Sequence, residues 1–218
     1  QGDTDIVTYG RGTFNSRSMS IGGSAVSLAC DKTVAKATRI AAHLFEAAEA
    51  DIDFADGSFT VRGTDRTMAF LDVAAAAFQP VKLPPDIEPG LNEIGTFVPQ
   101  YWNWPTGVQV CELEIDPETG ETEIVNFVCV DDVGTVVNPL LLKAQMHGGI
   151  VQGIGQALME NIAYDADGQL ISGSLMDYCL PRADDTCNME IVSAPTITES
   201  NLIGAKGGGE SVQTGALP

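Results

Sequence analysis

Between Gly22 and Ala50 the apolar residues Val26, Val34, Ala37, Ala41, Leu44, Phe45 and Ala48 return every three or four positions behind a Gly22-Gly23 opening. That is the spacing of one helical face turned toward a core, and it predicts a long amphipathic helix over 22–50. From Ile52 to Val61 the pattern becomes a weak alternation about Asp56-Gly57, a dipeptide suited to a small hairpin. Met68 to Phe78 is Ala-rich and reads as a short helix, and Pro80 to Pro105 reads as a loop. Apolar and polar residues then alternate over 107–115 and 122–130 on either side of Asp116-Pro117-Glu118-Thr119-Gly120, which predicts strand, turn and strand. Leu140 to Glu160 has helical spacing despite four glycines, and Pro181 to Ile191 leads from a loop into another strand. The elements give an α+β chain of mixed or antiparallel sheets packed with helices, without repeats.

Composition narrows the possibilities. The 218 residues allow one large domain or two small ones, and 44% apolar positions are ample for a packed core. Eleven basic and 30 acidic side chains give a formal charge of −19, which excludes nucleic acid, because binding it depends on Lys and Arg neutralising phosphates. The charge-free run from Ile94 to Cys111 is broken by Pro99 and Pro105 and carries polar residues, so no membrane span is expected. Five cysteines, Cys30, Cys111, Cys129, Cys179 and Cys187, make no C-x-x-C pair. They predict reduced, mostly buried thiols in a reducing compartment and, with no export signal after Gln1, a cytoplasmic location. His43 and His147 belong to no H-E-x-x-H pattern, so no protein-ligated metal of the zinc type is expected. The chain opens inside what reads as a strand and turn and ends just after its most glycine-rich stretch, as a fragment of a larger fold would.

Four segments carry candidate chemistry. Gly204-Ala205-Lys206-Gly207-Gly208-Gly209-Glu210-Ser211 could cradle an anion on successive backbone N–H groups beside the Lys206 charge. It could equally be a surface turn, and the order of Lys and glycines excludes a Walker A loop. Glu210 beside such a cradle would be repelled by an anion unless it has a separate task, such as that of a general base. The glycines of 148–155 lack the third position of a dinucleotide fingerprint and read instead as close helix packing. Gly12 to Ser18 offers hydroxyls, a guanidinium and amides ahead of the predicted helix, either as an anion site or as a cap. Asp165-Ala166-Asp167-Gly168 fails the calcium-loop spacing and reads as a hairpin turn. With so negative a chain, an anionic ligand would have to be held by local donors in a closed pocket.

Together GRGTFNSRSMSIGGSA, ELEIDPETGETEI, DDVGTVVNP with QMHGGIVQGIGQALME, and GAKGGGES resemble the C-terminal part of the molybdopterin-binding subunit of the xanthine dehydrogenase and aldehyde oxidase family, which includes the carbon monoxide dehydrogenase large chain. The resemblance runs over essentially the whole chain and implies that 1–218 is one molybdopterin-binding, catalytic domain of a larger subunit. It implies cofactor contacts from Thr13, Phe14, Ser16, Arg17, Ser18, Asp132, Val137, Asn138, Gln145 and Gln152, with Lys206, Gly207 and Gly209 holding the last loop and nearby anionic groups. Glu210 matches the family's active-site carboxylate, in a pocket expected to exclude water. The implied reaction is oxidative hydroxylation of an aldehyde, an N-heterocycle or a related small substrate with water as oxygen source. Oxidation of the carbon monoxide dehydrogenase type and a non-catalytic pterin-binding or assembly fragment are the alternatives. Asn15, Gly208 and Ser211-Val212 depart from the family's usual residues near the metal and leave the substrate class open. The implied cofactor is molybdopterin with molybdenum, in a dinucleotide form such as molybdopterin cytosine dinucleotide. Iron–sulfur clusters and FAD would sit in partner subunits of a hetero-oligomer, and the complementary part of the molybdenum subunit would complete the enzyme.

Overall fold

A computed structural model describes residues 3–7, 10 and 12–216; Arg11 of the first segment, Gln1 and the Leu217-Pro218 end lie outside them. The chain divides into two compact units, residues 22–98 and residues 1–21 with 99–218.

In the unit of residues 22–98, helix α1 spans Ser24–Phe45, later in onset and shorter than the predicted 22–50. A π-helical turn, Ser18–Gly23, precedes it, and Glu46 ends it in the left-handed conformation, φ 54°. Strands β1 (Ile52–Ala55) and β2 (Ser58–Val61) form the expected antiparallel hairpin. The predicted helix over 68–78 divides into β3 (Thr67–Ala69), which pairs with β2, and α2 (Phe70–Ala76). Ile40, Phe45, Phe59, Val73 and Leu83 form its core, and Phe54, Phe59 and Phe70 cluster with ring centroids 4.6–6.1 Å apart.

The other unit is built on a three-stranded sheet, β4 (Thr106–Ile115), β5 (Thr122–Asp132) and β6 (Met189–Ser193), in the order β4-β5-β6. β4 and β5 are the predicted hairpin, with a bulge at Glu112/Leu113. The Asp116 carboxylate accepts from the Glu118 and Thr119 amides and closes the turn. β6 runs parallel to β5, with Cys129 opposite Ile191. Helix α3 (Pro139–Leu158) covers the inner face, and short α4 (Ser211–Gly215) packs on α3. Phe127 and Cys129 meet Met146, Ile150, Ile154, Val212 and Ala216 in this unit's core.

The expectation of mostly buried cysteines is corrected. All five are free thiols, but only Cys129 is buried, Cys187 is half-buried, and Cys30, Cys111 and Cys179 are exposed. Only Cys129 lies on the inward face of a central strand. Burial, with the Asp131 charge nearby, pushes its thiol up to about 11, so it is protonated and unreactive. No helix among the described residues is long and apolar enough to cross a membrane.

Candidate cofactor-binding site

The glycine-rich loop is anchored at its start. The Asn201 side chain accepts from the Ala205 amide at 3.2 Å and donates to the Ala205 carbonyl at 2.7 Å. The Thr135 amide donates to Gly204 O and the Lys206 amide to Val133 O, which lays the loop along 132–135. Lys206 Nζ donates to Asp132 Oδ2 at 2.7 Å, and both side chains are largely buried. Asp132 Oδ1 accepts from the Gly134 and Thr196 amides, each at 2.9 Å. Burial alone would raise the Asp132 carboxyl, but these bonds, led by Lys206, outweigh it and hold the carboxyl far below the usual carboxylate range. The resemblance implied a cofactor contact from Asp132 and a loop-holding role for Lys206; here their charged groups pair with each other, and Lys206 braces the loop.

Beyond Lys206 the loop meets the first segment. Ser16 Oγ accepts the Glu210 amide at 3.1 Å, joining residues 194 apart in sequence. Asn15 and Ser16 both sit in the left-handed region, φ 53° and 50°, which turns that segment toward the loop. The approach needs glycine at two positions. A Cβ on Gly207 would lie 2.8 Å from Ser16 Cβ, and one on Gly209 would lie 3.0 Å from Ser16 Oγ and 3.4 Å from Gln145 Nε2. The amides of Gly207, Gly208 and Gly209 donate to no acceptor among the described residues. Glu210 itself is exposed in this chain, in contrast to the expected enclosed pocket.

The other expected residues fall into three groups. Thr13 and Ser18 share a short hydroxyl–hydroxyl bond, while Arg17 donates to Gly12 O at 2.7 Å and stacks 3.7 Å from the Phe14 ring centroid. These four brace the segment that carries Ser16. On α3, Asn138 is the N-cap, its Oδ1 accepting the Leu141 amide at 3.1 Å. Val137 is exposed just before it. Gln145 and Gln152 are seven residues apart on one exposed helix face; Gln145 reaches the loop, and Gln152 lies two turns beyond. The structure therefore brings together Ser16, Gln145, Gly207, Gly209 and Glu210, backed by the Lys206–Asp132 pair.

Sequence reasoning gave no role to Asp131 and Gln109, which fix the chain directly after Glu210. Ser211 Oγ donates to Asp131 Oδ2 at 2.9 Å, and Gln109 Nε2 donates to Val212 O at 2.9 Å. Asp131 is buried, and burial raises its carboxyl; the Ser211 bond opposes the shift and the Asp132 charge adds to it. The signal was available, because Asp131 shares the inward parity of Phe127 and Cys129 on β5.

The amides of Gly207, Gly208 and Gly209, unpaired among the described residues, together with the Ser16 hydroxyl and the Gln145 amide form a donor set that fits a large polar, anionic ligand. The Asp132 carboxylate against the loop is already neutralised by Lys206. Among the described residues no group of three or more His, Cys, Asp or Glu could hold a metal ion.

Residues 1–187 match the family model of the molybdopterin cofactor-binding domain. Over 219 aligned residues the chain is 39% identical to the carbon monoxide dehydrogenase large chain of Hydrogenophaga pseudoflava, covering 100% of this chain and 27% of that one. Its structure resembles carbon monoxide dehydrogenase from Oligotropha carboxidovorans with a TM-score of 0.90 at 36% identity, over 99% of this chain and 27% of that one. It also resembles quinoline 2-oxidoreductase from Pseudomonas putida 86, with a TM-score of 0.86 at 35% identity over 96% of this chain and 27% of that one. The chain thus spans about a quarter of the length of these relatives.

Proposed function

Since the chain belongs to the molybdopterin cofactor-binding domain family, we propose that it forms one wall of the molybdopterin site in a molybdenum hydroxylase large subunit and supplies that site's carboxylate, Glu210. The supporting observation is the 3.1 Å bond from the Glu210 amide to Ser16 Oγ, which joins the first and last segments beside Gln145. The residues fit the cofactor as ligand. The amides of Gly207 to Gly209, the Ser16 hydroxyl and Gln145 would donate to its oxygens, preferably in a dinucleotide form. The chain offers no metal cluster of its own among the described residues, so molybdenum would be carried by the pterin. When bound, the cofactor supplies two-electron redox chemistry.

The remaining work belongs to the chain. Ser16, Asp131 and Gln109 fix the backbone on both sides of Glu210, and the Glu210 carboxylate accepts the proton lost by the water-derived oxygen as it adds to the substrate. The reaction is oxidative hydroxylation of an aldehyde, an N-heterocycle or a related small molecule. Carbon monoxide-type oxidation is the second reading, favoured by the 39% identity to the Hydrogenophaga chain. The missing part of the subunit would enclose Glu210 and exclude water, and iron–sulfur and flavin subunits would carry electrons away.

Exposure of Glu210 favours one rival, a piece that grips the pterin without chemistry. One variant separates the two. With the complementary part of the subunit present, Glu210→Gln should lower turnover by at least about 10²-fold, the scale of lost general-base catalysis, while molybdenum and pterin contents stay unchanged. Near-normal turnover would overturn the catalytic assignment.

A further inference from the structure

We infer that the outer face of the β4-β5-β6 sheet, extended by Trp102 and Trp104, is the docking surface for the complementary part of the large subunit; the inference rests on the reading that this chain is one portion of such a subunit. β4 begins at Thr106, and along the chain from Trp102 into it exposed residues are interspersed with the half-buried Asn103, Pro105 and Gln109. Trp102, Trp104, Val108 and Val110 are 81, 72, 66 and 60% exposed. Between them, Asn103 donates to Ser200 Oγ at 2.8 Å and Gln109 to Val212 O. The half-buried residues thus fasten this stretch to the unit, while Trp102, Trp104, Val108 and Val110 stay exposed. Across the sheet a valine row forms. Val108 pairs with Val130, and Val130 with Val192, so three valines stand side by side on the face opposite Phe127 and Cys129. Val130 and Val192 are exposed as well.

An apolar valine row followed along the chain by two exposed tryptophans is a feature of binding surfaces, where tryptophan often carries a large share of the energy. Charge selects the occupant. From Pro99 to Leu142 the sequence contains no Lys or Arg and six carboxylates besides the buried Asp131 and the Lys206-paired Asp132. Glu112 and Glu114 continue β4 beyond Val110. A second copy of this chain would bring like charges together along that margin. The surface instead fits a partner with an apolar, β-branched or aromatic strip flanked by Lys and Arg. The three quarters of the relatives' large chain that this chain does not span provide a covalently adjacent candidate of ample size.

The probe is the Hydrogenophaga pseudoflava large chain from which the matching segment has been removed, tagged and co-expressed with this chain. Wild-type chain should be captured, and Trp102→Ser with Trp104→Ser should weaken capture about tenfold or more. Leu175→Ser with Met176→Ser, on exposed apolar residues elsewhere, should leave capture unchanged. Circular dichroism establishes folding, and Val110→Lys alone provides a second variant at an exposed strand position. Failure to capture wild-type chain would overturn the proposal, as would full capture of the folded tryptophan variant. So would a dimer of the chain alone in sedimentation that the same variant abolishes. Pterin fluorescence of the same samples separates the two readings: a captured complex without pterin supports docking and defeats cofactor binding, and pterin on uncaptured chain does the reverse.

Discussion

Asp131 and Asp132 follow one another on β5, face opposite sides of the strand, and are shifted in opposite directions. Asp132 is held low by Lys206 and two amides, so it contributes stability above the carboxylate range of about 4, and that stability is lost as acid protonates it. Asp131 behaves in the opposite sense. With its folded pKa raised, the folded state binds more protons than the unfolded state between the unfolded value and the raised one. Its contribution therefore falls as pH rises through that window and is a cost at neutral pH. Asp131→Asn keeps an acceptor for Ser211 and removes the buried charge. At pH 7.5 it should raise the melting temperature by about 2–4 °C, the effect of about 1 kcal/mol in a chain of this size. The gain should shrink as pH falls toward 4.5. A thermal-melt series over that range decides the matter: a change of equal size at every pH means that folding does not shift the Asp131 carboxyl.

At the scale of elements, α3 shows why its glycines are not interchangeable. A Cβ on Gly148 would meet nothing within 4 Å, whereas one on Gly149 would lie 2.6 Å from Val212 Cγ2 and 3.1 Å from Gly209 O. Gly148→Ala should therefore stabilise the helix by up to about 1 kcal/mol through propensity. Gly149→Ala should cost about 1–3 kcal/mol by overpacking and shift α4 together with the loop before it. Urea unfolding checks the two signs, and hydrogen exchange over 207–216 should quicken only in Gly149→Ala. The reading of this run as close helix packing was thus legible from its glycines, as were α1 and both hairpins from hydrophobic period and turn residues. What sequence reasoning missed is non-local. β3 is three residues of Ala-rich chain made a strand only by pairing with β2, and β6 acquires its parallel partner across more than fifty residues. Motif resemblance singled out Ser16, Gln145 and Glu210, which the fold brings together, but not the pairing of Lys206 with Asp132, because spacing does not tell an anion-binding lysine from one already neutralised.

For the molecule as a whole, charge sets how an anionic cofactor can be held. The chain carries −19, and outside residues 22–98 its only basic side chains are Arg11, Arg17, Lys143, Arg182 and Lys206. Of these, Lys206 is paired with Asp132 and Arg17 donates to Gly12 O. Long-range attraction is therefore absent, and the proposed grip depends on short-range donors, the amides of 207–209 with Ser16 and Gln145. Short hydrogen bonds survive salt, whereas repulsion from distant carboxylates does not, because the screening length falls from about 30 Å at 0.01 M to about 3 Å at 1 M ionic strength. Retention of pterin by this chain and its complementary part should consequently rise between about 0.02 and 0.5 M sodium chloride, the reverse of a site built on a basic patch. Fluorescence of pterin released into the flow-through at each salt concentration measures it. Retention that falls steeply with salt would mean that cations, rather than backbone amides and neutral side chains, hold the ligand.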